Sequence, residues 1–353
     1  MALVQRLDSL QRRYPPAGFP IAVVYKYVDD QGSYLAALVT YYGFLSLFPL
    51  LLLLSSLLGF ALQGDPRLQQ QILRSTLSQF PVIGDQLGTT GLRGSGVGVV
   101  VGLLGLVYGG LGVAQAVQNV MNVAWGIPRN SRPNPLMARL RSLLLLMTAG
   151  VAVAGTTVLS ALGSSAGAFG ADLGSGVQVL LTLAAVAINA LVFLLAFHIA
   201  TAREVTWRQA APGALTAAIA WQLLQSFGAL YVGHVLKHAS AVNGVFGLVL
   251  GLFAWLYVAA ASMVLSVEIN VVRAKHLWPR ALLTPFTDDV DLTHGDRRAY
   301  ADAAEAQRAK GFENVDVSFD HDGQNATARR RRAAEPKSPG GSDPGSTDDG
   351  SPT

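Results

Sequence analysis

The chain has 353 residues, of which 51% are hydrophobic and 14% charged, with a formal net charge of +4 and no cysteine. A soluble globular protein carries roughly 25% charged residues, so this deficit is a membrane signature. The missing Cys excludes disulfides, thiolate zinc sites and cysteine nucleophiles, and the basic residues sit in short clusters between apolar runs, a pattern that orients a protein in a bilayer rather than one that grips nucleic acid.

In chain order, the N-terminal segment 1–32 holds Arg6, Arg12, Arg13 and Lys26 but no continuous apolar stretch ahead of a small-residue cleavage site, so no cleavable signal peptide is expected. Phe19, Val23 and Tyr27 make an apolar stripe ending at Asp29-Asp30-Gln31-Gly32, which predicts an elbow helix over Phe19–Asp30, with a plain loop as the alternative. Six segments then reach the roughly 20 apolar residues that cross the hydrocarbon: Tyr34–Leu62, Gly96–Val117, Ser142–Leu162, Val177–Ala200, Pro212–Tyr231 and Gly244–Asn270. Between the first two, Asp65–Phe80 alternates Leu68, Ile72, Leu73, Leu77 and Phe80 with Arg67, Gln70, Arg74 and Gln79, as an amphipathic interfacial helix does.

Lys and Arg in the connections divide 13 against 4 between the two sides, which puts the N-terminus, the loops near Pro128 and Arg203, and the C-terminal segment in the cytoplasm. Tyr27, Tyr34, Trp125, Trp207 and Trp278 fall near span ends, where ring side chains favour the headgroup layer, whereas Trp221 and Trp255 are mid-span and expected to be packed. From about Thr284 the sequence turns polar and mixed in charge, so residues 276–353 read as a cytoplasmic, largely disordered tail. Its Arg329–Arg332 run is either a solvated cluster or a contact for anionic lipid. The expected architecture is all-α: a six-helix membrane domain over 33–275, flanked by the elbow segment and the tail.

The first span carries Ala36-Ala37, then Tyr41-Tyr42, then Ser46-Leu47-Phe48-Pro49, which resembles the "AAxxxYYxxxSxFP" start of the YihY/BrkB family of bacterial inner-membrane proteins. The resemblance continues through Asn119–Gly126, Trp207–Ala214 and Gly244–Asn270, and so covers about Gln31–Ala274. It departs at Phe246-Gly247, where the family has Tyr-Gly, and at Ser266-Val267-Glu268, where the family has Gly-Ala-Glu. The resemblance implies the membrane topology and a bacterial inner-membrane location. It carries a ribonuclease BN label generally regarded as mistaken, and links of some members to serum resistance or virulence.

Glu268 is the only carboxylate inside a predicted span, where a charge costs roughly 2.5–3.5 kcal/mol or more. It reads either as a structural anchor near the inner interface, beside Asn270 and Arg273, or as a group that exchanges a proton or binds a cation. Asn189 and His198 fall on opposite faces of the fourth span, and each is either an interhelical hydrogen-bonding group or a solute contact. Gly98, Gly102, Gly105, Gly109 and Gly112 form one strip, and Gly244, Gly247 and Gly251 another; either is a helix–helix seam or the wall of a passage. Gln115, Gln118, Asn119 and Asn122 share one face at the inner end of the second span. Pro49, preceded by Tyr41, Tyr42 and Ser46, is expected to kink the first span and free a carbonyl near Leu45.

These features point to a permease or exporter of a small molecule or ion, with a non-catalytic envelope-organising protein as the second reading. No phosphate-binding loop, cofactor motif or bound metal is expected, and no enzyme: the histidines are scattered, and the His234/His238 pair lacks a following Glu, so a nuclease fares worst. The expected partners are the lipid bilayer and no nucleic acid, with a homo-oligomer left open.

Overall fold

A computed structural model describes residues 11, 13–61, 96–168, 175–235, 241–287 and 290–319. Among them are eight α-helices: α1 (Gly18–Asp29), α2 (Gly32–Ala61), α3 (Gly96–Ala124), α4 (Pro135–Ala168), α5 (Ser175–Ala200), α6 (Trp207–Val235), α7 (Ala241–Lys275) and α8 (His294–Glu305). The predicted interfacial helix at Asp65–Phe80, His238 and the Arg329–Arg332 run lie outside the described residues.

The six long helices each pack on the next in sequence, and α7 closes on α2, so they form a ring. Because α2 to α7 run alternately up and down, one end of the ring, here the base, collects the start of α2, the end of α3, the start of α4, the end of α5, the start of α6 and the end of α7. The elbow helix α1 packs on α7 there. Five of the six ring helices contain stretches long and apolar enough to cross a membrane: Gly32–Leu53, Gly96–Ala124, Pro135–Val153, Thr182–Ala200 and Val249–Lys275. The sixth, α6, is long enough at 29 residues but is not among those five, and it carries Arg208, Gln209, Gln222, Gln225 and Ser226. Residues such as Leu104, Tyr108, Leu136, Met147 and Val151 are exposed around the ring, the inverse of a soluble protein's surface and the arrangement that suits hydrocarbon.

The glycine strip of α3 lies directly on α2. A Cβ at Gly102 would stand 2.8 Å from the Leu53 backbone nitrogen, at Gly105 2.6 Å from Pro49 Cγ and at Gly109 2.7 Å from Ser46 Cα, and at Gly112 it would run into the Tyr42 ring. The spacing of three and four keeps all four glycines on the face where two backbones approach. In the α7 strip, by contrast, a Cβ at Gly247 would meet nothing within 4 Å. The Gly109→Ala substitution forces a backbone to move and is expected to cost about 1–3 kcal/mol. The Gly150→Ala control, with open space around its Cβ, should be neutral or slightly stabilising. Thermal unfolding of the two purified variants measures the difference.

The expectation of disorder from Thr284 onward is corrected over 290–319, which includes α8. Thr293 caps α8: its hydroxyl accepts from the Asp296 backbone N–H while the Asp296 side chain receives the Thr293 N–H. Asp296 is itself wholly buried against Arg280. An ion pair and a cap, rather than apolar area, hold this polar segment on the base, and a composition argument that counts only burial of apolar surface overlooks both.

Candidate functional site

The base holds a layer of buried charge. On α1 the buried face is Gly18, Ala22, Val23 and Lys26, rotated from the Phe19–Val23–Tyr27 stripe, so that Lys26 enters the core in line with Ala22. Its ammonium pairs with Asp30 at the end of the same helix and stands 3.9 Å from Glu268 of α7. Glu268 is fully buried among Val264, Val267, Val271 and Val272, and neither carboxylate oxygen has a hydrogen-bond partner. Burial works against the Lys26 charge, but Glu268, Asp30 and Asp29 outweigh it and hold the ammonium above its ordinary value of 10.5. Burial also pushes the Asp30 carboxyl above its ordinary 3.8, against the pull of Lys26. The two directions agree once charges are counted, since one ammonium facing two carboxylates neutralises one of them.

A second buried centre lies alongside. The Arg280 guanidinium is wholly enclosed, donating from Nε to Asp296 at 2.7 Å and from a terminal nitrogen to Asp29 at 2.9 Å. It lies 5.7 Å from the Tyr25 ring centre and 5.6 Å from that of Tyr300. The other Asp296 oxygen accepts from the backbone N–H groups of Ala281 and Thr293, each at 2.9 Å. The Gln11 side chain donates to the Arg280 carbonyl. Further along the base, Lys275 bonds the Trp125 carbonyl at 2.8 Å and Asp302 at 2.9 Å. The only sequence signal for this cluster was the Thr293-x-x-Asp296 capping spacing. Lys26, Asp30, Arg280 and Asp296 were all missed as site residues.

Among the described residues, three cavities lie at or near the base. A vestibule of about 550 Å³ opens between α1, the start of α2, the end of α3 and α8, lined by Lys26, Asp30, Tyr34, Asn119, Lys275 and Asp302 among others. Inside the ring, an apolar cavity of about 230 Å³ is bounded by Val39, Thr40, Val117, Phe193, Trp221 and Met263. A third, of about 330 Å³, lies between α3 and α4 and gathers Gln115, Gln118, Asn119 and Asn122 with Arg132 and Arg139.

The other sequence candidates fall as follows. Asn270 is buried and both ends of its amide are used: Oδ1 accepts from the Gly213 N–H at 2.7 Å and Nδ2 donates to the Ala210 carbonyl at 3.1 Å. It thereby bonds the backbone around Pro212, where the helix ladder of α6 lacks a donor. The Asn270→Ala variant removes both bonds from α7 to the α6 backbone and is expected to lose about 1–3 kcal/mol, read as a lower unfolding temperature. Tyr41 is exposed and edge-on to Tyr42, and the Ser46 hydroxyl donates to the Gly43 carbonyl of its own helix. The α2 helix continues through Pro49. His198 Nδ1 lies 3.1 Å from the Val205 carbonyl and the ring stacks on Trp207, while Asn189 is half-buried and lines none of these cavities. Trp125, expected at the headgroups, is instead buried in the core, and Trp221 packs on Trp255 at 5.4 Å.

A ring of apolar helices with a buried charge layer at one end defines a polytopic, all-helical membrane protein. The chain belongs to the BrkB family, whose description is virulence factor BrkB and which matches residues 23–284. The matched stretch contains Lys26, Asp30, Glu268 and Arg280, while Asp296 lies beyond it. The chain is 24% identical over 265 residues to a UPF0761 membrane protein of Nitrosospira multiformis, covering 72% of this chain and 60% of that one. It is also 24% identical over 261 residues to the protein named ribonuclease-like YfkH of Bacillus subtilis, covering 71% of this chain and 93% of that one. No solved structure matches the chain.

Proposed function

We propose that this chain is a bacterial inner-membrane permease or exporter for a small solute, with six crossings and both termini cytoplasmic. The observation that carries the reading is the alignment of two cavities on either side of the charged layer. Along α2 the apolar cavity reaches down to Val39 and the vestibule up to Leu35; along α7 Met263 borders the cavity and Glu268 follows five residues later. At a rise of about 1.5 Å per residue, roughly 6 Å separates the two spaces along α2 (Leu35 to Val39) and roughly 3 Å along α3 (Val117 to Asn119). Lys26 stands in that gap, lining the vestibule and facing Glu268.

The layer is suited to ion coupling. With one ammonium for Asp30 and Glu268, the cluster has room for one more positive charge, a proton or a small cation, and adding it loosens the hold of Lys26 on Glu268. The cytoplasmic placement of the base is supported by its basic residues, since Lys26, Arg129, Arg132, Arg139, Arg141, Arg203, Arg208, Arg273, Lys275 and Arg280 all lie near helix ends there, as the positive-inside bias would place cytoplasmic groups.

The test is flux into liposomes carrying the purified chain, under imposed proton, Na⁺ and K⁺ gradients. Gradient-driven uptake should occur in the wild type and be abolished in Glu268→Gln protein that inserts and unfolds normally. No solute or ion movement under any gradient rules out the permease reading and leaves an envelope-organising protein.

A further inference from the structure

The α3–α4 hairpin is unusual in charge. From Gly96 to Ala171 the sequence contains no Asp or Glu, yet it carries Arg129, Arg132, Arg139 and Arg141. Arg141 is used structurally, donating to the Thr201 carbonyl at 3.0 Å. Arg132 uses only Nε, to the Ile127 carbonyl at 3.3 Å, and no salt bridge forms between Arg132 or Arg139 and a carboxylate of the described residues. Both line the third cavity, whose wall contains two guanidinium groups, four side-chain amides and no acid.

One amide atom in that wall is unmet. Asn122 is only 8% exposed and its Oδ1 has no hydrogen-bond partner, although buried polar atoms are nearly always paired. Gln118, its neighbour one turn back, is by contrast satisfied by the Ala138 carbonyl and the Ser142 hydroxyl. The cavity therefore offers guanidinium donors for an anion and an acceptor for a hydroxyl. Its position narrows the source. It lies at the junction of two candidate spans, and Leu136, Met137, Leu140 and Leu143 continue from its rim as exposed apolar side chains along the outer face of α4.

We propose that this cavity is a binding site for the headgroup of an anionic glycerophospholipid. The phosphodiester sits between Arg132 and Arg139, a headgroup hydroxyl donates to Asn122 Oδ1, and the acyl chains lie on the apolar face of α4. Guanidinium groups suit phosphate through paired N–H donors. Burial and the nearby charge of Arg129 hold the Arg132 guanidinium below its ordinary value, and a bound phosphate offsets both penalties. The assignment is independent of whether the chain transports anything.

The experiment titrates the purified full-length chain with lipid and reads occupancy by native mass spectrometry, using phosphatidylglycerol, phosphatidylcholine, glycerol 3-phosphate and inorganic phosphate as probes. Phosphatidylglycerol should bind at least about tenfold more tightly than phosphatidylcholine. Arg132→Gln/Arg139→Gln should abolish that preference and Asn122→Leu weaken it, while Arg203→Gln/Arg208→Gln, basic residues of the same base outside the cavity, should preserve it. If the double variant does not fold, the exposed Arg139→Gln change alone decides. Equal affinity for the two lipids, or undiminished phosphatidylglycerol binding after loss of the arginines, overturns the proposal. Displacement of phosphatidylglycerol by millimolar glycerol 3-phosphate or inorganic phosphate assigns the cavity to a soluble phosphate and overturns the lipid source.

Discussion

The Lys26→Met protein is expected to lose about 3–5 kcal/mol at neutral pH, the range for removing one partner of a buried ionic cluster. Methionine retains the length and packing of the lysine stem, so the loss isolates the charge. What remains is Asp30 and a fully buried Glu268 with no hydrogen-bond donor to either oxygen. The effect has a defined pH sign. Burial already pushes Asp30 above its ordinary 3.8, so its protonated form suits the fold, and the stability this contributes is complete below that ordinary value and is lost as pH rises through the raised one. Without the ammonium the dependence should steepen: Lys26→Met protein should approach wild-type stability near pH 4 and fall progressively behind it toward pH 8. Unfolding temperatures of both proteins across that range provide the check. A constant gap at every pH would mean that the loss comes from packing rather than from unmatched carboxylates.

The Arg280→Met protein should be impaired to a similar degree, by about 3–5 kcal/mol, and in a different place. Arg280 joins α1 through Asp29 to the cap of α8 through Asp296. Its removal leaves the wholly buried Asp296 carboxyl group without its guanidinium partner, held only by the Thr293 and Ala281 donors. The expected signature is local: protease cleavage and backbone hydrogen exchange should increase over α8 and the segment 277–293 before the ring helices respond. Replacing both partners together, as Arg280→Met/Asp296→Leu, should recover much of the loss, because an apolar pair leaves no uncompensated charge. If the double variant is no better than the single one, the pair does not act as a unit.

Five of the six long helices were legible as apolar runs of bilayer length, a property of contiguous residues, whereas α6 is long but interrupted by polar side chains. Several helix ends lie beyond the apolar runs, as with α3, which continues from Val117 to Ala124. Polarity marks where a helix leaves hydrocarbon, whereas hydrogen bonding decides where it stops. The disordered reading of 290–319 failed for a related reason. What orders α8 is Asp296 meeting Arg280 and a capping hydroxyl, and a pairing across sixteen residues leaves no trace in composition.

For the candidate site, sequence singled out Glu268 because a carboxylate in an apolar run is conspicuous, and it grouped Gln115, Gln118, Asn119 and Asn122 because helical periodicity places them on one face. It passed over Lys26, Arg132 and Arg139, which were counted as topology signals, since a basic residue in a connection ordinarily faces water. Only the fold shows Lys26 turned inward against Glu268 and the two arginines lining a cavity without an acid. By itself the sequence determined the all-helical membrane character, five of the apolar spans and the family, because these depend on local hydrophobicity and on short motifs. Which charges are buried, which are paired and which amide is left unmet depended on how α1, α7, α8 and the α3–α4 hairpin meet, since the energy of a charge is set by its distance from a partner and by the water excluded around it.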